Sequence, residues 1–129
     1  MGTRSGTVVV CDDAEDTVNV VAAVVRKAGY TVHTANSYKE LFPILDQVKP
    51  DLLLCDIRMP GRDGLDIAEQ LQKEGATYPI VLMTAYNSTF YKAYTPYLGV
   101  SDVLAKPLDF DKLLEQINTA LAEGKAIVH

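Results

Sequence analysis

Asp51-Leu52-Leu53-Leu54-Cys55-Asp56-Ile57-Arg58-Met59-Pro60-Gly61-Arg62-Asp63-Gly64 joins an apolar run of strand length to a loop rich in Pro, Gly and Asp. Leu52 to Cys55 suit a strand buried on both faces, and Pro60-Gly61 and Asp63-Gly64 are turn signals. Asp56 is therefore expected at a strand's carboxyl end. Ligands of open parallel α/β sheets bind in the crevice outside those ends, which makes this carboxylate a candidate reactive group.

Working outward, the same alternation recurs on both sides. Thr7 to Cys11 is a β-branched and apolar run ending in Asp12 and Asp13. Ala14 to Ala28 takes helical period, with Val18, Val21, Val24 and Val25 on one face and Gly29 as a carboxyl cap. Thr31 to Ala35 alternates as a strand, and Ser37 to Glu40 has the spacing of a capping box for a helix that Pro43 should kink or shift. Beyond the central loop, Leu65, Ile67, Ala68 and Leu71 mark a third helix closed near Gly75. Ile80 to Met83 is a buried strand ending in Thr84. A fourth helix capped by Asn87 or Ser88 should fail at Pro96, with Gly99 as the turn out. Val103 to Ala105 is a last short strand running into Lys106-Pro107. Phe110, Leu113, Leu114, Ile117 and Leu121 form the apolar stripe of a final helix, with Gly124 after it. Five strands alternating with five helices predict a doubly wound α/β domain around a parallel sheet.

A chain of 129 residues suits one domain with a full core. The expected division is a flexible tail over 1–6, the domain over 7–124, and a tail or the start of a linker over 125–129. Net charge of −5 offers no electrostatic footprint for a nucleic-acid backbone, so direct nucleic-acid binding is not expected. No apolar run approaches membrane-spanning length, and the amino-terminal residues lack the apolar core of a signal peptide.

The strand ends collect the chemistry. Asp12, Asp13 and Asp56 are three carboxylates on one predicted sheet edge, joined there by Thr84 and Lys106. Such carboxylates repel one another unless a cation joins them, and an all-oxygen donor set suits Mg²⁺. A carboxylate beside Mg²⁺, a lysine and a hydroxyl is equipped to attack phosphorus and form an acyl phosphate.

On these motifs the chain resembles the response-regulator receiver domains of two-component signalling, typified by the chemotaxis response regulator. Asp12-Asp13, Asp56 to Gly64, Thr84-Ala85 and Lys106-Pro107 match that family's motifs in order and spacing, over about Thr7 to Leu121. The resemblance implies a flavodoxin-like strand order 2-1-3-4-5. It implies that Asp56 takes a phosphoryl group from the phosphohistidine of a histidine kinase or histidine phosphotransfer protein. Asp13 and Asp56 would bind Mg²⁺ directly, Asp12 largely through water, and the Arg58 backbone carbonyl would complete the protein ligands. Thr84, Ala85 and Lys106 would bind the phosphoryl group, and the Lys106-Pro107 bond would be cis. The domain would turn over no separate substrate, catalysing only its own aspartyl phosphorylation and dephosphorylation in the cytoplasm. A downstream protein or a fused output domain would receive the signal.

There are departures and alternatives. The family usually has Tyr or Phe three residues before the lysine, and Val103 stands there, so an aromatic swing on that strand is not expected. Tyr86, Phe90, Tyr91, Tyr94 and Tyr97 crowd the fourth helix instead, as core packing or, where exposed, as a partner surface. A pseudo-receiver without phosphorylation is one competing class, against which Asp56, Thr84 and Lys106 argue. A haloacid-dehalogenase-like phosphatase is another, but its first-strand motif separates two aspartates by one residue, whereas Asp12 and Asp13 are adjacent. His33 and His129 are expected at the surface. Cys11 and Cys55 are expected to be buried reduced thiols. Each immediately precedes a candidate site aspartate, so on neighbouring strands the two would face each other and be able to respond to oxidation.

Overall fold

Along residues 6–127, which the computed structural model describes, strands and helices alternate without interruption. They are β1 (Thr7–Cys11), α1 (Glu15–Lys27), β2 (Thr31–Ala35), α2 (Tyr38–Val48), β3 (Leu52–Asp56), α3 (Gly64–Lys73), β4 (Ile80–Thr84), α4 (Ser88–Tyr94), a 3-10 turn (Thr95–Leu98), β5 (Asp102–Ala105) and α5 (Phe110–Ile127). The strands form one parallel sheet in the order β2-β1-β3-β4-β5, the flavodoxin-like arrangement. The order reverses between β1 and β3, and the crevice at that switch point is where such sheets bind ligands.

Helices cover both faces, which is why the central strands are continuous apolar runs. Side chains of a strand alternate between faces, and the core divides accordingly. Val9, Cys11, Leu53, Cys55 and Leu82 pack on one side against Leu41 and Leu45 of α2 and Ile67 and Leu71 of α3. Val8, Val10, Leu52, Leu54 and Val81 pack on the other against Val21 and Val25 of α1 and Leu113 and Ile117 of α5.

Local signals mostly act as read, with instructive exceptions. On α1 the buried stripe is Val18, Val21, Ala22 and Val25, so Val24 gives up its place to Ala22. The Ser37 hydroxyl accepts from the Glu40 N–H, but the Glu40 carboxylate returns the bond one residue earlier, accepting from Asn36 N at 2.7 Å. α2 keeps its start at Tyr38 and runs through Pro43 to Val48. Buried Leu41 and Leu45 flank that proline and anchor the helix against the sheet, which offsets the missing ladder bond. Asn87, at φ 46°, caps α4 through its side chain, and the helix stops before Pro96 as expected.

Two expectations for the last helix are corrected. Phe110 is 39% exposed at its first turn, leaving Leu113, Ile117, Ala120 and Leu121 as the buried stripe. α5 also continues past Gly124 to Ile127, since one glycine costs only about 1 kcal/mol in a helix that its neighbours already support. Residues 1–5 of the tail expected over 1–6, and His129, lie outside the described residues. His33 is exposed on β2.

Candidate functional site

Parallel strands end on the same side, so the predicted residues converge. Asp12 follows β1 and is fully buried, Asp56 ends β3 with 6% exposure, and Thr84 ends β4 with 1%. Asp13 is exposed beside them, and Lys106 follows β5. Carboxylate oxygens of Asp12, Asp13 and Asp56 all lie within 4.8 Å of one another.

Lys106 is the positive charge of the group. Its Nζ lies 2.5 Å from Asp12 Oδ2 and 2.8 Å from Asp56 Oδ1. Burial pushes the Asp56 carboxyl above its ordinary pKa, the hydrogen bond from Lys106 pulls it down, and the charges of Asp12 and Asp13 push it up again, with a net rise. Burial presses Lys106 toward neutrality, but its hydrogen bonds to Asp12 and Asp56 outweigh that and its pKa lies above that of a free lysine. The second Asp12 oxygen, Oδ1, accepts from Ala14 N at 3.0 Å, in the turn just before α1. The Lys106-Pro107 peptide is cis, as the resemblance implies.

The donor chemistry fits Mg²⁺. Three carboxylates crowd one point, two of them are buried, and a lysine already supplies a cation between those two. Asp12, Asp13 and Asp56 could hold such an ion in place of Lys106.

Thr84 is engaged elsewhere. Its hydroxyl donates to Tyr86 O at 2.9 Å and accepts from Tyr86 N at 3.0 Å, folding the β4–α4 loop back on itself. Ala85 is exposed between them. Arg58 is exposed on the β3–α3 loop, and its guanidinium stands 4.7 Å from the Tyr86 ring centre, a cation–π contact that spans the two loops bordering Asp56.

Two contributors escaped the sequence reading. Gly64 begins α3, and a Cβ there would lie 2.5 Å from Asp56 O, so only glycine lets the helix approach the strand end this closely. Its N–H also donates to Ile57 O at 2.7 Å. The Asp-Gly pair at 63–64 signals a turn, but nothing local signals that contact. Asn36 donates from Nδ2 to Asp12 O at 3.5 Å, a long bond across 24 positions with no sequence cue. The Arg58–Tyr86 stack, by contrast, joins two residues already named from the sequence, Arg58 for its backbone carbonyl and Tyr86 among the aromatics of the fourth helix.

Of the aromatic run, Tyr86 and Phe90 are 59% and 56% exposed, while Tyr91 is half-buried against the core on the α2–α3 side. The side chains of Tyr94 and Tyr97 lie outside the described residues. Val103 is fully buried.

Cys11 and Cys55 are both buried and free, and they are register partners on β1 and β3. The Cys55 thiol is held well above its ordinary pKa, first by its hydrogen bond with Cys11 and then by burial, with the nearby negative charges adding to both.

Comparison with known proteins bears on the fold and the family. The family model described as the response regulator receiver domain matches residues 8–118. The chain is 33% identical over 120 residues to the transcriptional regulatory protein ZraR of Escherichia coli K12, covering 93% of this chain and 27% of that protein. It is 32% identical over 100 residues to the alkaline phosphatase synthesis transcriptional regulatory protein PhoP of Bacillus subtilis, covering 78% of this chain and 42% of that one. The chain thus spans about a quarter of the first of these curated relatives and about two fifths of the second. Among solved structures, a putative response regulator from Chloroflexus aurantiacus superposes with a TM-score of 0.84 at 30% identity, over 92% of this chain and 99% of that one. A CheY-like receiver domain protein from Methanospirillum hungatei shares the fold, with a TM-score of 0.87 at 22% identity over 95% and 98% of the two chains.

Proposed function

The chain belongs to the response-regulator receiver family, and on that premise we propose that Asp56 is the phosphoacceptor of a two-component signalling step. The observation that carries this reading is the meeting of the Asp12, Asp13 and Asp56 carboxylates, within 4.8 Å of one another, with Lys106 at 2.8 Å from Asp56. An Asp56 oxygen attacks the phosphorus of a phosphohistidine on a histidine kinase or histidine phosphotransfer protein. The new P–O bond forms as the P–N bond breaks, and the electron pair leaves with the imidazole nitrogen.

Bound Mg²⁺ supplies charge compensation for the incoming phosphoryl group. Asp13, Asp56 and the Arg58 backbone carbonyl would hold it directly, with Asp12 acting largely through water. Lys106 then exchanges its carboxylate partners for a phosphoryl oxygen. The Thr84 hydroxyl leaves the Tyr86 backbone to donate to the same group, with Ala85 lining it. The domain turns over no separate substrate and catalyses only its own phosphorylation and dephosphorylation.

No helix among the described residues is long and apolar enough to cross a membrane. On the family likeness alone, we place the domain in the cytoplasm. The signal passes to a fused output domain or a separate protein, without direct nucleic-acid contact by this acidic domain, whose net charge is −5. Incubation with phosphoramidate and Mg²⁺ tests the reading. Intact mass should gain one phosphoryl group, and the gain should vanish with EDTA or in Asp56→Asn. Persistent labelling of that variant would refute the assignment, and failure of the wild-type chain to label would favour a pseudo-receiver.

A further inference from the structure

The stretch that leads from β2 into α2 touches both chain segments bordering the acidic crevice. On the β1 side, Asp12 N donates to Ala35 O at 3.2 Å, and Asn36 Nδ2 donates to Asp12 O. On the β3 side, a Cβ at Gly61 would lie 2.7 Å from Tyr38 Cε1 and 3.5 and 3.6 Å from Cδ1 and Cζ, so the edge of the Tyr38 ring rests directly on the Gly61 backbone. Tyr38 is the first residue of α2, placed there by the Ser37 cap. One turn further on the same face, the Phe42 ring receives the Arg62 guanidinium 5.8 Å from its centre. Two aromatic rings of α2 thus bear on consecutive residues of the β3–α3 loop.

That loop is short and firmly held. At its start Ile57 N donates to Met83 O at 2.8 Å, and at its end Asp63 accepts from Asp66 N at 2.9 Å to cap α3. In between, Met59 is buried, Pro60 has a fixed φ, and Gly61 stands at φ 87°, where glycine is the natural residue. A shift at Gly61 therefore has little slack to absorb it before it reaches Arg58, three residues earlier.

We infer that Tyr38 is a positioning residue for the divalent-cation site: seated on Gly61, its ring fixes where the Arg58 backbone carbonyl stands, a role that rests on the reading of that carbonyl as a metal ligand. Without the ring, Gly61 is uncovered and regains the backbone freedom that a residue lacking Cβ has in full. The consequence falls on ion selectivity. Mg²⁺ demands near-ideal octahedral ligation at about 2.0–2.1 Å, whereas Ca²⁺ accepts flexible arrangements at about 2.3–2.6 Å. A carbonyl set loose penalises Mg²⁺ more than Ca²⁺.

Equilibrium urea unfolding, first in EDTA and then at rising Mg²⁺ or Ca²⁺ and constant ionic strength, separates this role from a merely structural one. The EDTA baseline reads lost packing, and the growth of stability with cation concentration reads the dissociation constant of the folded site. Tyr38→Leu should weaken Mg²⁺ binding about tenfold and Ca²⁺ binding less, so the ratio of the two affinities falls. Gly61→Ala disturbs the same contact from the loop, leaves α2 intact, and should lower the ratio too; it decides alone if Tyr38→Leu does not fold. Tyr38→Phe should match the wild type, because the atoms facing Gly61 are ring carbons. Unchanged Mg²⁺ affinity in Tyr38→Leu and Gly61→Ala would overturn the inference, as would equal weakening of both ions, the mark of a loosened domain. A Tyr38→Phe loss as large as that of Tyr38→Leu would overturn the ring contact as its cause. A wild-type chain that Mg²⁺ does not stabilise would refute the metal reading itself, and the positioning role with it.

Discussion

Replacing Lys106 by alanine asks what holds the acidic crevice together before any cation or phosphoryl group arrives. The ammonium sits 2.5 Å from one nearly buried carboxylate and 2.8 Å from another. At an effective dielectric constant of about 20, each contact carries about 6 kcal/mol of gross Coulomb attraction. Desolvation of the three groups offsets most of that. What the substitution loses is set instead by leaving Asp12 and Asp56 facing each other uncompensated, and breaking a buried pair costs about 3–5 kcal/mol. Lys106 keeps 19% of its side-chain surface in water, which places the expected loss near the lower end, at about 3 kcal/mol. For a domain of this size that lowers Tm by about 10 °C.

Equilibrium urea unfolding at neutral pH with EDTA measures this loss directly. The sign of its pH dependence follows from Asp56, whose pKa in the folded chain already lies above its ordinary value. Without the lysine it rises further. The folded variant then binds a proton that the unfolded chain releases, so its deficit shrinks at acid pH and grows as pH rises through the folded-state pKa. Millimolar Mg²⁺ should stabilise the variant more than the wild type, where it competes with Lys106. Equal stability of the two proteins in EDTA, or equal Mg²⁺ increments, would refute the reasoning.

Gly64→Ala should destabilise by about 3 kcal/mol, the upper end for overpacking, because its Cβ meets the Asp56 backbone carbonyl and not a flexible side chain; urea denaturation checks it, and phosphorylation of Asp56 should slow in parallel. Arg58→Ala combined with Tyr86→Ala opens the cation–π bridge over the site, so loss of the acyl phosphate, followed by intact mass after removal of the donor, should accelerate about fivefold, the equivalent of about 1 kcal/mol. Beryllofluoride with Mg²⁺ should change hydrogen exchange chiefly between residues 86 and 99. Val103 is too short to fill the space that Thr84 vacates, and α4, only seven residues long before a 3-10 turn, is the element that yields most cheaply.

Much of this protein is legible in the order of its residues, because strands and helices announce themselves by local period. Leu52 to Cys55 read as a strand covered on both faces, and the acids, threonine and lysine that close successive apolar runs must share one edge once all strands run parallel. Spacing and residue type therefore name Asp12, Asp13, Asp56, Thr84 and Lys106 without coordinates. Tertiary packing decided what those groups do to one another. Lys106 reaches Asp12 across 94 positions, Thr84 engages its hydroxyl with the Tyr86 backbone, and Gly64 is required by a carbonyl that only the folded chain brings near. Pro43 and Gly124 read locally as helix breakers, yet both lie inside helices. The pairing of Cys11 with Cys55 was a conditional of sequence, true only if β1 and β3 were neighbours. A local pattern encodes period and propensity, whereas register, rotamer and charge pairing are set by contacts between segments far apart in the chain, and those exist only once the sheet has closed.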